Sequence, residues 1–80
     1  MTKKEIISKI AAVIETVTDI PASEIQPESA LMDDLELSSL EVMTSIAAME
    51  KVFHIRFMEK ELINIVTVED VVECVMQKLA

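Results

Sequence analysis

With 80 residues the chain has room for one small domain and a modest core, not for a second folded unit. Just over half of the residues (51%) are hydrophobic, yet Gly, Trp and Tyr are absent, which excludes a hairpin-rich sheet fold on one side and intrinsic disorder on the other. Fifteen Asp and Glu against seven Lys and Arg leave a net charge of -8, which argues against nucleic acid and anionic membranes as partners and favours proteins with a basic patch.

Thr2 and Glu5 have capping-box spacing, and Ile6, Ile10, Val13, Ile14 and Val17 recur at helical spacing with Lys9 and Glu15 on other faces. This predicts an amphipathic first helix. Thr18-Asp19-Ile20-Pro21 ends it, because the residue before a proline is pushed out of the α region. From Pro21 to Leu37 the period is lost, with a second proline at Pro27, so a long connection is expected with at most one helical turn near Ala22 to Ile25. Ile20, Ile25, Leu31, Leu35 and Leu37 are its candidate anchors. Helical spacing returns after Ser38 in Val42, Ile46, Met49 and Phe53, which predicts a second helix to about His54. The apolar and acidic stretch from Phe57 to Ile63 predicts one or two turns. Thr67 and Asp70 form a capping pair ahead of a last stripe, Val68, Val71, Val72, Val75, Met76 and Leu79. The expectation is an all-α bundle of three main helices plus one short helix, in one domain over residues 1–80. No apolar run approaches the ~18 residues of a transmembrane helix, and Ser8 and Lys9 interrupt the apolar residues after Lys4, so neither a membrane span nor a signal peptide is expected. A cytoplasmic protein without membrane insertion is the default.

Chemistry concentrates in Asp33-Asp34-Leu35-Glu36-Leu37-Ser38-Ser39-Leu40-Glu41. Ser38 and Glu41 have the S-x-x-E form of a capping box, which makes Ser38 the N-cap and Ser39 the first helical residue. A phosphate on a hydroxyl at that position is favoured by free backbone N–H groups and the positive end of the helix dipole. Taken alone, a Ser-Ser pair opening a helix is more often a plain cap. Catalysis by Ser39 needs a base, and the one histidine, His54, is about four turns away along the same predicted helix. A chain without glycine has no G-x-S-x-G elbow, so hydrolase readings fail. Asp33/Asp34 and Glu59/Glu61 read as solvated surface charge, because so small a bundle has little space for a desolvated cleft. One Cys and one His do not make a zinc site, and the Asp33 region lacks the alternating oxygens and turn glycine of an EF-hand. Cys74 is expected to pack at the edge of the last helix. No catalytic residue and no metal are assigned.

These residues resemble the acyl carrier protein family along essentially the whole chain. The family's acidic-Leu-Gly-x-Asp-Ser-Leu segment is matched by Asp34-Leu35-Glu36-Leu37-Ser38-Ser39-Leu40. Ser29 followed by Asp34-Leu35, Phe53 at the end of the second helix, and Thr67-Val68-Glu69-Asp70-Val71-Val72 at the start of the last are similar too. The resemblance implies a phosphopantetheine arm, donated by coenzyme A, on Ser39, with Ser38 capping the helix beside it. It implies acyl groups carried as thioesters for fatty-acid, lipid or specialised polyketide-like biosynthesis, by a protein that is not itself an enzyme. The implied partners are a phosphopantetheinyl transferase and acyl-loading and acyl-using enzymes, docking on a face of Leu40, Glu41, Met43, Ala47 and Glu50. Two departures stand out: Ser38 replaces the family's usual Asp, and Glu36 its usual Gly. The second helix is also less acidic than in carriers of fatty-acid synthesis, so its docking face leans on apolar contact. The six Met residues suit an adaptable interior that shelters an acyl chain, though filling core gaps is their plainer role. A monomer is the simplest expectation. Two alternatives stay open, a discrete aminoacyl carrier (D-alanyl or peptidyl) with the same arm, and an unmodified helical interaction module using Leu40 and Met43.

Overall fold

The computed structural model describes residues 1–80. The expected helices form as three long elements and one short one: α1 (Lys3–Thr18), α2 (Ser39–Phe53), α3 (Glu59–Leu62) and α4 (Val68–Leu79). Each long helix starts on the capping box legible in the sequence, so two of its otherwise unpaired N–H groups find acceptors. At α1, Thr2 Oγ1 accepts from Glu5 N at 3.2 Å and Glu5 Oε1 accepts from Thr2 N at 2.8 Å. The same reciprocal pair holds at Ser38/Glu41 and Thr67/Asp70.

Helix ends are handled without glycine. Asp19 closes α1 at φ 66° with its N–H on the Glu15 carbonyl at 2.8 Å, and His54 closes α2 at φ 58° with its N–H on the Glu50 carbonyl. A left-handed residue with a Cβ costs about 1 kcal/mol, and Asp and His are among the residues that accept it most readily. α2 therefore stops at Phe53, one residue short of the sequence expectation.

The core is one cluster between α1, α2 and α4. Ile6, Ile10 and Ile14 face Ile46, Met49, Phe53 and the valines Val68, Val71, Val72 and Val75, all buried. Three of the expected anchors, Ile25, Leu31 and Leu37, are buried, and Ile20 and Leu35 pack half-buried against the cluster. The stripe of α4 is shorter than its spacing predicted: Met76 and Leu79 are exposed. Leu79 lies on the stripe but is the last residue of α4, and Met76 falls about 80° off the Val68 direction.

The long connection forms one 3-10 turn, Ala22–Glu24, and then binds the start of α4. Ala30 and Thr67 make an isolated antiparallel bridge, with Leu31 N on the Val66 carbonyl at 2.9 Å and Val68 N on the Ser29 carbonyl at 3.0 Å. Glu69 N reaches the Pro27 carbonyl at 2.8 Å, so loop carbonyls accept N–H groups that α4 leaves free. Asp34 closes the next turn, its Oδ2 accepting from Ala30 N at 2.7 Å, and Leu37 N returns to the Leu31 carbonyl at 3.0 Å. These bonds hold the beginning of α2 beside the beginning of α4.

Candidate functional site

The chain enters α2 from a buried side chain. Leu37 is in the core and Glu36 before it takes φ 56°, which turns the backbone so that Ser38 is extended (φ -75°, ψ 164°) at the N-cap. Ser38 Oγ then accepts from Glu41 N at 3.1 Å, and Glu41 Oε1 accepts from Ser38 N at 2.9 Å. That division of labour leaves Ser39 outside the box. It is the first residue of α2 and exposed, at the end where the helix dipole is positive.

Around Ser39 the surface is more apolar than the net charge suggests. Leu40 is 76% exposed and Met43 51%, and Ala47 is exposed on the same face at i+3 and i+4 spacing. Glu41 and Glu50, expected at the same face, are half-buried and each has one carboxylate oxygen taken by the backbone. Glu41 serves the capping box, while Glu50 Oε2 accepts from Phe57 N at 2.8 Å and ties the α2–α3 connection to α2. Beside α2 a cleft of about 220 Å3 opens between Leu31, Met32, Val42, Ile65 and Val66, with the charged Asp33 in its lining.

The remaining candidates lie elsewhere. His54 ends the helix that Ser39 begins, about 22 Å away at 1.5 Å per residue, so it is no base for Ser39. Glu61 is not a free surface acid as expected but a junction: Oε1 accepts from Met58 N at 2.6 Å and pairs with Lys78 Nζ at 2.9 Å, and Oε2 receives Cys74 Sγ at 3.6 Å. The Lys78 bond, then the Met58 amide, hold the Glu61 carboxyl below its ordinary range. Burial, then the charge of Glu61, push the Cys74 thiol up, so Cys74 is a protonated thiol at neutral pH.

Sequence reasoning missed one residue of this helix. Ser45 is 3% exposed with its Oγ unpaired, among core side chains. Its spacing, three after Val42 and four before Met49, is the signal that places it on the buried face.

The structure is a bundle of capped helices around a valine and isoleucine core, with Ser39 exposed on the first turn of α2. The chain belongs to the phosphopantetheine attachment site family, whose match covers residues 8–75. It is 37% identical over 73 residues to an acyl carrier protein of Acidothermus cellulolyticus, covering 91% of this chain and 87% of that one. It is 39% identical over 79 residues to the meromycolate extension acyl carrier protein of Mycobacterium tuberculosis, covering 99% of this chain and 68% of that protein. The solved structure of the acyl carrier protein from Enterococcus faecalis superposes with a TM-score of 0.78 at 27% identity, over 98% of this chain and 99% of that one. The role is that of an acyl carrier with a covalent phosphopantetheine group, which interacts with a phosphopantetheinyl transferase and acyl-handling enzymes. No helix is long and apolar enough to cross a membrane.

Proposed function

We propose that Ser39 bears the phosphopantetheine arm. The observation that carries this reading is the split between the two serines: Ser38 Oγ is held by Glu41 N, while the hydroxyl of Ser39 is presented on the first turn of α2. In the attachment step Ser39 Oγ bonds to the phosphorus that coenzyme A joins to pantetheine, and the bond from that phosphorus to the adenosine bisphosphate breaks. The hydroxyl proton leaves to the transferase or the departing phosphate. The attached phosphate then sits at the positive end of α2, and the thiol swings free of the surface.

Leu40, Met43 and Ala47 form the centre of the docking face, with the outer oxygens of Glu41 and Glu50 at its rim. Such a face binds by apolar burial, with charge steering basic partners toward it. The protein performs no chemistry of its own in this reading, acts as a single domain over 1–80, and is a cytoplasmic monomer. Acyl rather than aminoacyl cargo is favoured by relatives that are acyl carriers, and the family match disfavours an unmodified interaction module.

The test is incubation with coenzyme A and a broad-specificity transferase, read by intact mass. Ser39→Ala should take up nothing and keep its fold within about 0.5 kcal/mol. Ser38→Ala should still be modified while losing about 1 kcal/mol of stability with its cap. Modification of Ser39→Ala would refute the assignment.

A further inference from the structure

The surface has three clefts, and they differ in charge. The one beside Met32 is lined by Asp33, and the one beside Cys74 by Glu61, Asp70 and Glu73. The third, of about 380 Å3, lies between α1 and α2 on Val13, Val17, Ala48 and Val52, and its one charged lining residue is Lys9. In a chain with more than twice as many acids as bases, that reverses the general balance. Lys51, three residues after Ala48, borders the groove on α2. Both lysines are exposed and neither is in an ion pair, and Glu5, one turn before Lys9, is engaged at the Thr2 cap.

Shape and position narrow the occupant. From Lys9 to Val17 the groove wall runs about 12 Å along α1, the length over which a helix presents apolar residues at i, i+4 and i+7. Around α2, Ala48 and Val52 lie roughly 120° from Leu40, Met43 and Ala47, so the groove is separate from the proposed docking face and both can be filled at once. A second copy is disfavoured, because two chains of charge -8 repel and a symmetric contact would set the same lysines against each other. An anionic bilayer is disfavoured too, since it would face the acidic remainder of the molecule, whereas a single helix meets the groove alone.

We infer that the groove between α1 and α2 is a second docking site, for an amphipathic helix of a partner protein whose apolar stripe is flanked by acidic residues. Its apolar side chains fill the space along Val13, Val17 and Val52, and its carboxylates pair with Lys9 and Lys51. The site goes beyond the carrier reading and does not depend on Ser39 as the attachment residue.

The experiment titrates the isotope-labelled full chain with two helical peptides that share leucines at i, i+4 and i+7 and carry either Glu or Lys beside them. Salt is held at about 150 mM, where distant charges are screened. The Glu peptide should shift the methyl signals of Val13, Val17 and Val52 and leave those of Leu40 and Met43 in place. It should bind about fivefold more weakly to the double variant Lys9→Gln, Lys51→Gln, which loses two exposed pairings. Gln is a good helix former and both positions are exposed, so the variant retains the fold. No shift of the groove signals by the Glu peptide, equal or stronger binding of the Lys peptide there, or an affinity unchanged in the double variant would overturn the inference. Groove shifts that arise instead from raising the protein concentration, or from vesicles of phosphatidylglycerol and phosphatidylcholine, would also overturn it and give the groove to a second copy or to a lipid surface.

Discussion

Glu36 occupies φ 56°, where an L-residue with a Cβ is strained by about 1–2 kcal/mol and glycine is not. The strain is tolerated because Leu37 on one side is buried and Leu35 on the other packs against the core, which fixes the backbone between them. Glu36→Gly should therefore raise Tm by about 2–6 °C, after allowing for the extra freedom glycine gains in the unfolded chain. A fall in Tm would mean that the Glu36 side chain does more for the fold than its backbone conformation costs. The replacement of the family's usual Gly was visible in the sequence, but the left-handed conformation was not, since Asp19, Glu36 and His54 all adopt it without a glycine to announce it. Ser38 and Ser39, by contrast, were separable on paper, because S-x-x-E spacing says which of two serines caps.

The junction between the long connection and α4 holds the start of α2 beside the start of α4. Asp70 Oδ2 accepts from Thr67 N at 3.0 Å and from Val66 N at 2.9 Å. The Thr67 amide, then the Val66 amide, hold its carboxyl below the ordinary value of 3.8. A carboxyl depressed in the folded state stabilises fully above its unfolded pKa, and that contribution disappears as pH falls through the folded one. Asp70→Asn should lose about 1 kcal/mol near pH 7. The gap between variant and wild type should narrow as pH falls below the ordinary carboxylate range, as read from urea midpoints at neutral and at acidic pH. A gap that persists in acid would show that the pairing does not depend on charge. The three long helices and their caps were legible because each carries a periodic stripe behind an S/T-x-x-D/E signal. The Ala30–Thr67 bridge was not, because main-chain pairing between distant segments leaves no residue pattern. Nor were the duties of Glu50 and Glu61 legible, since Glu50 binds the Phe57 amide across the helix end and Glu61 pairs with Lys78 and Cys74, which only the fold brings near.

For the molecule as a whole, a charge of -8 on a body of 29 × 25 × 20 Å sets the electrostatic balance. Only two ion pairs oppose the repulsion, Lys3 with Glu69 at 3.2 Å and Lys78 with Glu61 at 2.9 Å, and solvent-accessible pairs contribute little. Raising salt from about 20 mM to about 500 mM at neutral pH should increase Tm, because screening weakens self-repulsion more than it weakens two pairs. A decrease would mean that the pairs outweigh the repulsion. On the proposed docking face the same field would draw basic partners to the surface, with the exposed Leu40 and Met43 supplying the apolar contact.

The central claim, that this acyl carrier holds its arm on Ser39, is tested most directly by fragmenting the wild-type protein after modification with coenzyme A and a transferase. A single phosphopantetheine located on Ser39 is the predicted result, and an arm on Ser38 or on any other residue would contradict it.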